Sequence, residues 1–151
     1  MSELTKEDIR NILLSSQDVE LLIDPYDVPD QNDWMAIEQK FKINFCKEFM
    51  WFMEIINEFL FPGDILNVKE DGNTNGNDTI VFTYDHEIKH GSWPAQYIPF
   101  YSIGNGDYFC LSSKDDVACK VYYYYHETSL VKKYAENFSE WISDLPSFMM
   151  G

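Results

Sequence analysis

His86, Glu87 and His90 stand in the order His-Glu-Ile-Lys-His. On a helix this spacing turns both imidazoles to one side, where they can hold zinc, and leaves the glutamate as general base for metal-bound water. The flanks argue against that chemistry. The segment 79–84, TIVFTY, reads as a strand, while Gly91 follows at once and Pro94 soon after. That leaves one or two helical turns. Trp93 and Gln96 occupy the places where an extended metalloprotease motif needs its glycine and third histidine. A third ligand would have to be His126, Glu127 or a nearby aspartate, and His86, His90 and His126 are all the histidines of the chain. The segment reads as an exposed polar connection. A metal-dependent hydrolase ranks last of three functional readings, and no metal or other cofactor is expected.

The other reactive residues point the same way. Glu70-Asp71, Asp85 with Glu87, and Asp115-Asp116 are carboxylate pairs in apparent loops, where solvated charge is the simpler role than general acid/base work. The Gly-rich stretches lack the lysine and the following helix of a phosphate loop, and no serine sits in an elbow motif. Cys46, Cys110 and Cys119 are odd in number and form no Cys-x-x-Cys, so neither a disulfide framework nor a zinc ribbon is indicated. Cys110 and Cys119 fall in apparent strands, as buried and inert thiols would. No catalytic residue is assigned and a non-enzyme is expected.

Charge and aromatic content favour binding. Twenty-six acids against eleven bases leave a net charge of −15. Such a surface repels nucleic-acid phosphates and anionic lipid, and draws in basic partners. Solubility alone explains it equally well. Residues 2–38 hold ten of the acids and only Lys6 and Arg10 among the bases, which favours a partner-facing surface. Aromatic residues make up 17%, too many for a disordered chain. In the run Tyr122 to Tyr125, strand alternation puts Tyr122 and Tyr124 on one face and Tyr123 and Tyr125 on the other. One pair packs under helices; the other offers apolar area with polar tips, as protein interfaces do.

The elements that must hold these residues follow from periodicity. Thr5 to Asp8 has capping-box form, opening a helix over about residues 5–16. IDPYDVPDQND is a surface loop. Trp34, Ile37 and Phe41 form a second helical stripe after Asn32 or Asp33 as cap. Asn44 opens a third helix whose broad face, Phe45, Phe49, Phe52, Ile56 and Phe59, belongs against a sheet. Phe61 to Asp64 ends it. Strands are expected at 65–68, 79–84, 97–103, 107–111 and 117–125, with a polar hairpin loop over 70–78 and a Gly104-Asn105-Gly106 turn. Thr128 or Ser129 caps a closing helix over about 128–145, stopped by Pro146. This is one α+β domain over 1–151: a helical part at about 5–60, an antiparallel meander of about five or six strands at about 65–125, and helices mainly on one sheet face. MSELTKEDIR has charges where a signal peptide needs an apolar stretch, and no run approaches the ~20 apolar residues of a membrane span. A cytoplasmic protein is expected, with no membrane and no nucleic-acid partner, as a monomer or weak dimer.

The ordered motifs resemble the SUKH superfamily, an immunity-protein fold that also includes a yeast regulator of cell-wall synthesis. Ile37-Glu38 matches its Ile-Glu, and Phe45 and Phe49 match its aromatic helix, although Ile43-Asn44 replaces its Leu-Pro. Phe61-Pro62-Gly63 matches its turn after that helix. Ile98-Pro99-Phe100 with Gly104-Asn105-Gly106-Asp107-Tyr108-Phe109-Cys110 is similar to its central hairpin. Val121, His126 and Glu127 resemble the next strand and its end, and Phe138 with Trp141-Ile142 resembles the closing helix, so the similarity spans about residues 34–145. The resemblance implies a cytoplasmic immunity protein that neutralises a cognate polymorphic toxin, often a nuclease; acidic charge would steer it to a basic partner. A regulatory or signalling interaction module is the alternative. The expected partner surface comprises Trp93, Tyr101, Asp107, Asp115, Asp116, Tyr123 and Tyr125. Trp93 as core and the aspartates as turn formers is the competing reading, and for Asp107 the two weigh equally.

Overall fold

A computed structural model describes residues 4–15, 20–21, 28–60, 64–69 and 79–150. The expected segments at 22–27, 61–63 and 70–78 lie outside the described residues, and with them the Phe61-Pro62-Gly63 turn and the polar 70–78 loop.

The first helix, α1 (Lys6–Leu14), begins as its sequence predicts: Thr5 Oγ1 accepts from the Asp8 amide at 3.1 Å, and Asp8 Oδ2 accepts from the Thr5 amide at 2.9 Å. α2 (Gln31–Phe41) uses the same reciprocal box between Asp30 and Asp33, so its cap is Asp30, ahead of the expected Asn32 or Asp33. Lys42 ends it in the left-handed region, at φ 56°. The strands β1 (Glu20–Leu21) and β2 (Phe59–Leu60) pair antiparallel as a separate small ribbon. Between α2 and β2 runs α3 (Lys47–Ile56), capped by Cys46 and not by Asn44. Asn44 is engaged elsewhere: its carbonyl accepts from Ala118 N at 2.8 Å. Phe59, expected on the α3 face, lies beyond the helix because Asn57 turns the chain, its buried Nδ2 donating to Met53 O at 2.8 Å.

The main sheet is an antiparallel meander of four strands with a two-residue strand added at one edge: β3 (Asp64–Ile65), β4 (Tyr97–Ser102), β5 (Tyr108–Ser112), β6 (Val121–Tyr125) and β7 (Leu130–Ala135) in chain order. Two bulges re-aim aromatic rings. Pro99 pairs with Cys110 and Tyr101 with Phe109, leaving Phe100 as the extra residue. Val121 pairs with Ala135 and Tyr122 with Lys133, leaving Tyr134 extra. Both Phe100 and Tyr101 reach Trp141 of α5 (Phe138–Met150), at ring-centroid distances of 5.1 and 6.0 Å.

One sheet face carries the main core. Phe49 and Phe52 of α3, Phe138 and Trp141 of α5, and Phe100 and Phe109 of the sheet are almost wholly buried. Most of their contacts are edge-on, with centroids 5.1–5.6 Å apart. Ile9 and Leu13 place α1 on the same core, and Lys6–Glu54 and Arg10–Glu58 ion pairs bind it to α3 and to the turn after it. The opposite face carries a smaller cluster of Trp93, Cys110 and Tyr124, flanked by Tyr84, Tyr97, Tyr108, Tyr122 and Val131. Helices thus cover mainly one face, as an α+β chain with this order of elements requires.

Two expectations fail, in opposite directions. TIVFTY is not a strand but the start of α4 (Ile80–His90). Thr79 Oγ1 caps it through the Phe82 amide at 3.0 Å, Ile80 and Thr83 point inward, and Tyr84 meets Phe41 edge-on at 4.8 Å. The closing helix does not begin at 128. Residues 126–129 turn the chain, with Ser129 at φ 56°, and Leu130–Ala135 returns along β6 as β7. Pairing with a full-length neighbour outweighs a helical spacing that runs on by coincidence. Pro146 lies inside α5 and does not stop it. The expected strand at 117–125 begins only at Val121; residues 117–120 run as a connection in which Ala118 makes a single parallel bridge to Phe45. Cys119 therefore leaves the sheet, while Cys110 is wholly buried in it and its thiol is raised well above its ordinary pKa by burial.

Candidate functional site

The helix that the His-Glu-x-x-His spacing needs is present, since α4 carries it for three turns. His86 and His90 sit side by side, with ring centroids 4.6 Å apart, and His86 stacks on exposed Phe82 at 6.0 Å. Both imidazoles face solvent. Glu87 is half-buried and its Oε2 accepts from the Tyr108 hydroxyl at 3.1 Å, which ties α4 to β5. Among the described residues no third histidine, cysteine or carboxylate gathers around this pair; the one group of three such ligands lies elsewhere. His126 is engaged in a different contact.

That contact is centred on Asp107, between the Gly turn and β5. Its Oδ1 accepts from the His126 amide at 2.9 Å and meets His126 Nδ1 at 2.6 Å, while Oδ2 accepts from the Tyr123 hydroxyl at 2.8 Å. Its own amide donates to Asn105 Oδ1 at 3.0 Å. Burial alone would raise this carboxyl. The hydrogen bonds from His126 and Tyr123 outweigh burial and hold its pKa below the ordinary value. Gly106, at φ 103°, lets the turn lie flat on the imidazole: a Cβ there would stand 2.9 Å from His126 Cγ. The clasp joins the β4–β5 turn to the end of β6.

The expected partner surface is divided by this architecture. Trp93, Tyr101 and Asp107 are buried at 5–8% exposure. Trp93 packs on Tyr124 at 4.5 Å and donates to Tyr97 O at 2.9 Å; Tyr101 lies against Phe109 and Trp141. Buried side chains with internal partners present no face to another protein, so these three belong to the interior. Asp115 and exposed Asp116 lie in the β5–β6 connection, at the opposite end of that strand pair from Tyr125. Asp115 accepts from the Tyr122 hydroxyl at 3.1 Å; burial first, and this carboxylate second, push that phenol to about 12.

Tyr123 and Tyr125 do share a face, as alternation requires, with centroids 4.7 Å apart. They join residues the sequence did not single out. Leu130 pairs with Tyr125 across β6–β7 and is 56% exposed, Lys132 Nζ stands 5.9 Å over the Tyr125 ring, and bulged Tyr134 packs on Phe109 at 4.8 Å while donating to Asp144 Oδ2 at 2.9 Å. Tyr125 and Tyr134 remain about 40% exposed. The result is an aromatic strip on the outermost strand pair. Strand alternation made Tyr123 and Tyr125 visible beforehand; reading 130–135 as helix hid Leu130 and Tyr134. A second group was hidden by its separation in the chain: Cys46, Glu48 and Cys119 bring their ligand atoms within 4.8 Å of one another.

Residues 8–147, nearly the whole chain, match the SUKH family described as SMI1-KNR4 cell-wall. The chain belongs to that family. A search among curated proteins gives no match. In this SUKH member the residues behind the resemblance have internal work. Ile37 is buried, Glu38 Oε2 accepts from the Phe45 amide at 3.2 Å, and Ile98, Phe100 and Phe109 are wholly buried. Asp107 and His126 form the clasp. The residues behind the resemblance thus mark the fold in this chain. Among the described residues no helix is long and apolar enough to cross a membrane.

Proposed function

We propose that this SUKH-family chain is a non-catalytic immunity protein that neutralises a cognate toxin in the cytoplasm by covering it. Family membership over residues 8–147 carries the reading. The net charge of −15 supports a basic partner. The strip of Tyr125, Leu130 and Tyr134, with half-buried Tyr123 behind it, supplies the aromatic anchors on which such interfaces depend. Strand β7, beside them, lies at the sheet edge, where another chain can pair.

The test is co-expression with the product of the neighbouring gene, with protection from toxicity and complex formation as readouts. Stable co-purification and rescued growth are expected. Tyr125→Ala should weaken binding about tenfold or more, the size of an interface anchor, with the unfolding midpoint little changed; Tyr134→Ala should weaken it similarly and also lower the midpoint, because its packing on Phe109 and its bond to Asp144 are lost. Failure to bind or protect against adjacent toxins would remove the immunity reading. Unchanged affinity in both variants would remove the strip as the surface.

A further inference from the structure

We propose that Cys46, Cys119 and Glu48 form a binding site for one thiophilic divalent cation of the zinc class, closing α3 onto the connection that leads into β6. The site is built by backbone contacts far apart in sequence. Phe45 bridges Ala118, the Cys46 amide donates to Ala118 O at 3.2 Å, and the Ala118 amide donates to Asn44 O at 2.8 Å. These contacts set Cys119, next after Ala118, beside Cys46 at the N-cap of α3. Glu48, in the first turn of that helix, completes the group, and the three ligand atoms lie within 4.8 Å of one another.

Glu48 is what points to a cation. It is only 5% exposed, and its Oε2 is buried with no hydrogen-bond partner. A carboxylate oxygen removed from water without a partner is costly, and native interiors leave few such groups. A disulfide between the cysteines would leave that oxygen orphaned, whereas a bound cation satisfies it. The donor set selects the ion. Two sulfurs and one carboxylate suit zinc and exclude magnesium and calcium, which take oxygen ligands. Tetrahedral zinc holds such atoms about 3.5–3.8 Å apart, from bond lengths of ~2.1–2.3 Å, so the group closes by a small movement. As the ion enters, both thiols release their protons to solvent. Cys119 is half-exposed, which leaves an entry path and a fourth position for water.

Reduced, untagged protein is titrated with cobalt(II), whose thiolate complexes absorb in the near ultraviolet, and then with zinc. One cobalt per chain with a sulfur-to-metal charge-transfer band, displaced by zinc, is expected. Cys46→Ser and Cys119→Ser should abolish the band, and Glu48→Gln should weaken affinity about tenfold or more, at least the effect of losing an outer-shell partner. The His86→Ala/His90→Ala double variant should bind as the parent does. Zinc should raise the unfolding midpoint of the parent and not of Cys119→Ser. The proposal is overturned if folded, reduced parent protein gives no charge-transfer band. It is also overturned if uptake depends on His86 and His90, if Glu48→Gln binds like the parent, or if a Cys46–Cys119 disulfide forms while the reduced protein takes up no metal.

Discussion

Asp107 uses both carboxylate oxygens inside the chain, which supports its reading as a turn former. It is the acceptor around which a glycine turn, a strand end and a tyrosine are assembled. The two glycines of the turn separate backbone conformation from close approach. Gly104 and Gly106 have nearly the same φ, 100° and 103°, yet a Cβ on Gly104 meets nothing within 4 Å and one on Gly106 meets the His126 ring. Gly104→Ala should therefore cost only the backbone strain, about 1 kcal/mol. Gly106→Ala should cost that plus the clash, about 2–3 kcal/mol in all. Denaturant unfolding of both variants, with Gly106→Ala/His126→Ala as the partner cycle, checks this; equal losses at the two glycines would refute the contact. Asp107→Asn should cost about 2 kcal/mol near neutrality, since charged hydrogen bonds are lost. The sign with pH follows from a folded pKa held below the ordinary carboxylate value. The stabilisation is complete above the unfolded pKa and disappears as pH falls through the folded one. The gap between parent and Asp107→Asn should thus be larger above about pH 5 than below about pH 4. A gap that widens in acid would refute it.

At the scale of elements, chain reversals decide what the sequence reveals. Lys42 ends α2 at φ 56°, ψ 49°, a conformation that suits glycine better than a side chain with a Cβ. Lys42→Gly should raise stability by about 0.5–1 kcal/mol, the left-handed relief less the added freedom of unfolded glycine; a loss on thermal unfolding would contradict this. The β4–β5 hairpin was legible because Gly104-Asn105-Gly106 supplies the positive φ that its turn needs. The β6–β7 hairpin was not, because His126 to Ser129 turns without a glycine, using Ser129 at φ 56°. Leu130, Tyr134, Phe138 and Trp141 then imitated one long helix. TIVFTY misled in the other direction: its β-branched residues favour a strand, but a threonine cap and contact with Phe41 make it helical. The candidate surface was legible to the same extent. Tyr123 and Tyr125 followed from alternation alone; Leu130 and Tyr134 needed β7; and no local rule could join Cys46 to Cys119 across the intervening chain.

For the whole molecule, excess negative charge has two consequences with opposite salt dependence. Lys6, Arg10, Lys40, Lys69 and Lys133 already face carboxylates, so the acids that exceed them repel one another across the surface. Raising sodium chloride from about 0.01 to 0.1 M shortens the screening length from ~30 to ~10 Å. Self-repulsion then weakens and the unfolding midpoint should rise. Under the proposed function the same screening would remove the steering of a basic partner, and its association rate should fall about tenfold or more while dissociation changes little. Thermal scans, and stopped-flow association with the product of the neighbouring gene where the proposed function holds, measure both on one salt series. An association rate that stays flat while the midpoint rises would mean that the charge keeps the protein soluble and plays no part in finding its partner. A rate that falls with salt in the parent and equally in Tyr125→Ala would separate the long-range steering by charge from the short-range contact made by the aromatic strip.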